Sequence, residues 1–205
     1  DIDNASLEYI KWLGCSHVWY TGVIRHSTQA SEDGCTPSHP QFVKGKAGSP
    51  YAICDYYDVN AYLADNAEDR ILEFEQLIKR THDARLKVII DFVPNHVARD
   101  YGKVDMTPGH PVLGAEDDRS VHWREENDFI YYPGEALRLP TESPKGMEPY
   151  YEMPAMATGN NCYTPAPGIN DWFETVKINY CDHHTATWDK MYDIIDFWAS
   201  KGVDG

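Results

Sequence analysis

The chain has 205 residues, 42% of them hydrophobic and 25% charged, and 33 Asp+Glu against 18 Lys+Arg leave a formal net charge of −15. This is the composition of a water-soluble globular fold, and its charge excludes a general basic surface for nucleic-acid backbones. No apolar run approaches the ~20 residues that a membrane-spanning helix requires.

In chain order, NASLEYIKWLG predicts a short helix with Leu7, Ile10 and Leu13 on one face, Asn4 or Ser6 as cap and Gly14 as the stop. The run CSHVWYTG, centred on Val18 and Trp19 and ending at Gly22, reads as a strand feeding a loop. From Arg25 to about Pro50 the chain is rich in Ser, Thr, Gly and Pro without a period, and it reads as a long surface loop. A second helix follows an acidic first turn, with Ile71, Phe74, Leu77, Ile78 and Thr81 or His82 along one face.

LKVIIDFV is then continuously apolar except for one aspartate, the composition of a parallel strand covered by helices on both sides. Pro94 cannot donate to a central ladder, so the strand stops there and Asn95 and His96 fall on the loop beyond its carboxyl end. Between about Val97 and His183 the pattern changes to Pro, Gly, Tyr and polar residues with only short β-prone runs, DFIYY and TVKINY, as in an inserted small subdomain. A third helix, TATWDKMYDIIDFWASKG, is read with Trp188, Met191, Tyr192, Ile195 and Trp198 on one face, Thr185 or Thr187 as cap and Gly202 as its end. Val203 begins another apolar segment.

Helix, strand, loop, helix, strand, insertion, helix and the start of a strand is an α/β order. Without residues 97–183 the regular part is less than half of the ~250 residues of an eight-unit barrel, so the chain reads as part of a TIM (β/α)8 barrel. A doubly wound sheet is the competitor, but neither GxGxxG nor GxxxxGK[ST] is present. The opening DIDNASLEY lacks the basic start and apolar stretch of a signal peptide, so the expectation is that a leader was never made or has been removed. The five cysteines are odd in number and without CxxC spacing, which argues against a disulfide scaffold and a zinc knuckle.

Asp91 is the residue most able to carry chemistry. Strand alternation sets it on the face of Ile89 and Val93, and a carboxylate buried there costs several kcal/mol unless donors meet it. An arginine or a hydroxyl from a neighbouring strand is the expected partner. It is either a structural acceptor tying strands together or part of a site, and its position with Asn95 and His96 near the carboxyl end of a parallel strand favours the site. Adjacent His183 and His184 diverge in any regular structure and make a poor metal pair. Trp123, Tyr131, Tyr132, Tyr150 and Tyr151 are read as subdomain core before sugar platform.

DFVPNH, Asp91 to His96, resembles the first signature region of the α-amylase family, glycoside hydrolase family 13. LGCSHVWYTG resembles that family's second barrel strand, SPYAICDYYDVN (Ser49 to Asn60) the segment with its subsite tyrosine, residues 97–183 its domain B after the third barrel strand, DWFETVKIN the stretch near the end of that domain, and KGVDG the approach to strand four. The resemblance implies a first barrel part over 1–96, domain B over 97–183, and a barrel helix and the start of strand four over 184–205. It implies that Asp91 accepts hydrogen bonds that hold the catalytic subsite together, that His96 bonds a sugar hydroxyl as a neutral imidazole, that Tyr51 stacks on the same ring and that Asp55 supports them from behind. Asn95 matches a position that often gives its oxygen to a structural calcium, but Lys177 stands where many calcium-binding members have an acidic residue, and an ammonium can satisfy the same oxygen in the cation's place.

In the family the nucleophile follows a segment like GVDG, and the acid/base and a third carboxylate come later, so these are expected beyond Gly205 in the remainder of a longer polypeptide. The function implied is retaining hydrolysis of α-linked glucans or gluco-oligosaccharides, with transglycosylase or sugar isomerase chemistry, or a non-catalytic barrel serving as a binding module, as alternatives. Polymer-degrading relatives are usually exported, which favours a secreted or periplasmic location.

Overall fold

A computed structural model describes residues 2–31, 35–103 and 105–205. Glu32, Asp33 and Gly34 of the expected loop, Val104 of the expected insertion, and Asp1 lie outside the described residues. Three helices, α1 (Asn4–Trp12), α2 (Arg70–Asp83) and α3 (Ala186–Ser200), and eight strands make up the regular structure among them: β1 (His17–Tyr20), β2 (Ile24–His26), β3 (Ile53–Val59), β4 (Lys87–Ile90), β5 (His96–Ala98), β6 (Tyr131–Tyr132), β7 (Ala155–Met156) and β8 (Thr175–Lys177).

β1 and β4 pair in parallel, His17 opposite Lys87 through Tyr20 opposite Ile90, and α2 lies in the connection between them. Parallel neighbours require a crossover of this kind. The segment after α3 runs along the other side of β4: the Asp204 amide donates to the Val88 carbonyl at 2.9 Å and the Ile90 amide to the Gly205 carbonyl at 3.0 Å. Val88 and Ile90 face the helices and are buried, whereas Trp19, on the opposite face of β1, is 62% exposed. Apolar residues of β1, β3, β4, α2 and α3 meet in one core that includes Tyr20, Tyr56, Phe74, Val88, Met191 and Trp198.

Helix faces follow from spacing, but not always the face expected. In α2, Phe74, Ile78 and Thr81 are buried, and Thr81 rather than His82 faces inward, bonded to the Tyr20 hydroxyl at 2.8 Å. In α3 the buried residues are Thr187, Met191, Ile194 and Trp198, while Tyr192 and Ile195 are exposed. The expected stripe is therefore rotated, because the i, i+4, i+7, i+11 series is the one the sheet covers. Its end is as read: Gly202 takes a left-handed φ of +99°. The cap of α1 is Asp3, whose carboxylate accepts from the Ser6 amide at 2.8 Å, and not Asn4 or Ser6.

Three further corrections concern strands. The strand expected over LKVIIDFV ends at Ile90, so Asp91 lies just past it, and His96, expected on a loop, opens β5 instead. β5 pairs antiparallel with β8, His96 opposite Lys177, a partner too distant in sequence for local pattern to reveal. The expected loop from Arg25 in fact begins inside β2, which pairs antiparallel with β3.

All seven residues of β3 are buried, two aspartates included. Asp58 is held by the Arg70 fork, Nε to Oδ1 and Nη2 to Oδ2 at 2.7 Å each, with Arg25 Nη1 at 3.4 Å. Farther along, the buried Arg99 guanidinium donates to Glu152 at 2.7 Å and to the Phe173 and Thr175 carbonyls at 2.6 and 3.0 Å. Asp128 accepts from Thr187 at 2.7 Å and from Lys190, fixing residues around β6 to α3. Of the aromatics expected in the subdomain core, Tyr131 is buried, while Trp123 and Tyr151 are exposed. No helix among the described residues is long and apolar enough to cross a membrane.

Removing one partner of a buried ion pair strands the other charge. Asp58→Ala leaves Arg25 and Arg70 without their shared carboxylate and is expected to lower unfolding free energy by about 3–5 kcal/mol. Urea titration of the intact gene product checks this, and a loss below about 1 kcal/mol, the level of a surface pair, contradicts it.

Candidate functional site

Asp91 sits where the chain leaves β4. Its carboxylate accepts the Trp19 indole N–H at 3.0 Å and the Gly22 amide at 3.2 Å. The expected arginine or hydroxyl is not its partner, and the side chain is half-buried instead of buried, because the strand stops one residue earlier and the donors come from the end of β1 and its loop.

Gly22 also lines a cleft of about 750 Å³ with Thr21, His26, Gly48, Tyr51, Asn60 and Tyr62. A β-carbon at Gly22 would stand 3.1 Å from Pro50 Cβ, so the end of β1 passes directly beside the segment bearing Tyr51. Tyr51 is 41% exposed, and its carbonyl accepts from His96 Nε2 at 3.1 Å. Gly22 and Tyr51 line the cleft, whereas Asp91 and His96 do not and reach it only through their bonds to the Gly22 amide and the Tyr51 carbonyl.

The imidazole of His96 is buried. A carbonyl only accepts, so Nε2 carries the proton, and Nδ1 accepts from Asn95 Nδ2 at 2.8 Å. Trp172 packs edge-on with ring centroids 4.5 Å apart. Gly159 packs against the base of this side chain, where a β-carbon would come within 2.7 Å of His96 Cβ. Burial lowers the pKa of His96, and the nearby Lys177 ammonium acts in the same direction. His26 is likewise buried, donating from Nε2 to the Ala47 carbonyl at 3.0 Å with Nδ1 3.4 Å from Asn60 Nδ2, and burial lowers its pKa too.

Asp55, in β3, is fully buried. It accepts from the Tyr57 amide at 2.9 Å and from the amide and hydroxyl of Thr107 at 2.7 Å each, so it clamps a distant loop onto β3. Asn95 is spent on two neighbours besides His96: its Nδ2 donates to the Gly159 carbonyl at 3.0 Å, and its Oδ1 accepts from Lys177 Nζ at 2.5 Å. The oxygen that a calcium ion would use is taken by an ammonium, and no group of three or more His, Cys, Asp or Glu is gathered for a metal among the described residues. The residues here do not fit a calcium site.

His26, the floor of the cleft, was not singled out by sequence. It follows a β-prone Val-Ile pair, a weak strand signal inside a stretch otherwise read as loop. His183 and His184 are exposed, in separate contacts with Glu125 and Asp182 and with Asp189.

A parallel pair with helical crossovers, carrying its candidate site where the strands end, is the arrangement of an α/β barrel domain. The chain belongs to the alpha-amylase family: the model for the alpha amylase catalytic domain matches residues 4–205. It is 23% identical to an alpha-glucosidase of Pediococcus pentosaceus over 98% of its own length and 29% of the relative's. It is 25% identical to an amino acid transporter heavy chain of Mus musculus, over 97% of this chain and 24% of the relative. In structure it resembles an alpha-amylase from Lactobacillus plantarum with a TM-score of 0.53 and 22% identity, over 98% of this chain and 32% of that one. The chain thus spans less than a third of the proteins it matches.

Below the ordinary imidazole pKa of about 6.5, the unfolded chain takes up protons that folded His26 and His96 refuse, so stability rises with pH through that region. Acidification from pH 7 toward pH 5 is expected to lower the melting temperature, and His26→Gln or His96→Gln to flatten that dependence. Thermal unfolding across this range checks it, and identical slopes in wild type and both variants contradict it.

Proposed function

We propose that the chain is part of an α-amylase-type catalytic domain acting on α-linked glucans or gluco-oligosaccharides. The observation that carries this reading is that Gly22 and Tyr51 line one cleft near the ends of two parallel strands, Gly22 held by Asp91 and the Tyr51 carbonyl by His96. In this reading residues 1–96 and 184–205 are barrel, with domain B between them after the third barrel strand. The reacting carboxylates stand outside these residues, following the segment that ends in Asp204 and Gly205.

Retaining hydrolysis uses one carboxylate as nucleophile and a second carboxyl group as acid and then base. The residues present here grip the sugar at which those groups react. Tyr51 offers a flat face for the C–H surface of the ring, and Asp91 keeps the Gly22 backbone in place beside it. His96 reaches a hydroxyl by exchanging its bond to the Tyr51 carbonyl for one to the sugar, as a neutral donor. Asp55 keeps β3 and Thr107 fixed behind them. No step is assigned to calcium, because Lys177 already satisfies Asn95.

A second reading is a non-catalytic barrel that serves as a binding module. It is supported by the similarity to an amino acid transporter heavy chain, which is as extensive over this chain as that to the alpha-glucosidase. Transglycosylation or isomerisation within the family differs from hydrolysis in excluding water from the glycosyl-enzyme.

Incubation of the intact gene product with maltoheptaose distinguishes these. Shorter sugars released with the α-anomer retained support hydrolysis, longer or isomeric products the transfer and isomerase alternatives, and no turnover the binding module. Tyr51→Ala is expected to lower kcat/KM about tenfold, or ~1.4 kcal/mol, and an unchanged value contradicts the role given to Tyr51.

A further inference from the structure

The cleft presents two exposed tyrosines, and the function proposed above uses one of them. Tyr62 comes from a 3-10 turn, Ala61–Leu63, and is 50% exposed on the cleft wall although its neighbour Ala61 is buried. Its backbone is tightly held: Asn60 Oδ1 accepts the Tyr62 amide at 3.1 Å, and the Asn60 amide donates to the Val23 carbonyl at 2.8 Å.

The opposite wall is the segment that leads to Tyr51. His26 spans the floor between them, donating to the Ala47 carbonyl on one side and meeting the Asn60 amide on the other, so an imidazole sets the spacing of the walls. Gly48 cannot carry a side chain, because its φ is +67° and a β-carbon would collide with the Ser27 carbonyl. That wall therefore stays low. A volume of about 750 Å³ lies in the ~300–1,000 Å³ range that encloses drug-sized ligands, more than one hexose occupies. Rigid aromatic faces provide contact area at little cost in conformational entropy.

We infer that Tyr62 is a second stacking platform, which takes a glucosyl unit further along the chain than the one held by Tyr51, and that it sets a preference for linear α-glucan chains of several units over disaccharides. The inference rests on the glucan reading above and adds to it the length of substrate and the residue that measures it. No bond is made or broken at Tyr62, which acts through binding alone.

The test compares kcat/KM for maltoheptaose and for maltotriose in the intact gene product, in wild type, Tyr62→Ala and Tyr62→Phe. Tyr62→Ala is expected to lower the maltoheptaose-to-maltotriose ratio about tenfold, through KM, and Tyr62→Phe to keep the wild-type ratio because it keeps the ring. An unchanged ratio in Tyr62→Ala, or equal losses on both sugars, overturns the inference while leaving the glucan reading intact. If the wild type cleaves neither sugar, the catalytic reading fails by itself, and calorimetric binding of maltoheptaose decides Tyr62: weaker binding by Tyr62→Ala supports the platform. Equal binding, or none by either protein, overturns it.

Discussion

The two hydrogen bonds accepted by Asp91, from the Trp19 indole and the Gly22 amide, tie the end of β4 to the end of β1. A parallel pair leaves its strand ends to diverge unless something joins them, and here a single carboxylate does so from just beyond the ladder. Because Gly22 lies against Pro50, the same tie aligns the segment bearing Tyr51 with the strand ends. The cleft exists where it does because these three pieces of chain meet at one glycine.

Carboxylates play the same part deeper in the molecule. The chain carries 33 acidic residues, and several are buried. Asp58 joins β3 to Arg25 and Arg70, Asp55 joins β3 to Thr107, Asp128 joins the region of β6 to α3, and Glu152 meets Arg99. A buried charge is tolerated only when its partners are complete, and each of these has two or more donors or a cation. Short two- and three-residue strands bury little by themselves, so such polar ties set the path of the irregular stretch between β5 and β8.

Lys177 belongs to this pattern. Burial lowers its pKa, yet it remains the cation that satisfies Asn95, opposite His96 in the β5–β8 ladder. Asn95 in turn orients His96, whose proton is fixed on Nε2 by what lies on either side. A divalent ion would serve the same oxygen with several further ligands, and an ammonium on a side chain does so with one strand pairing. The chain is similar both to an alpha-glucosidase and to an amino acid transporter heavy chain, and one scaffold can host unrelated functions.

Local pattern carried the helices, the parallel strands β1 and β4, the glycine that ends α3, and the position of Asp91 close to the end of β4. Each is written in the spacing of neighbouring residues. β3 was hidden because its two aspartates break the apolar run, and their partners, Arg70 and Thr107, lie outside it. The rotated face of α3 had the same cause, since Ile194 and Ile195 are equally apolar and only the sheet chooses between them. Composition and short-range spacing thus determined the α/β order and the aspartate and histidine near a strand end. The tertiary structure decided what those residues touch: Trp19 and Gly22 for Asp91, the Tyr51 carbonyl for His96, Lys177 for Asn95. Hydrogen-bond partners are fixed by where distant segments of the chain are brought together, and no local periodicity encodes that.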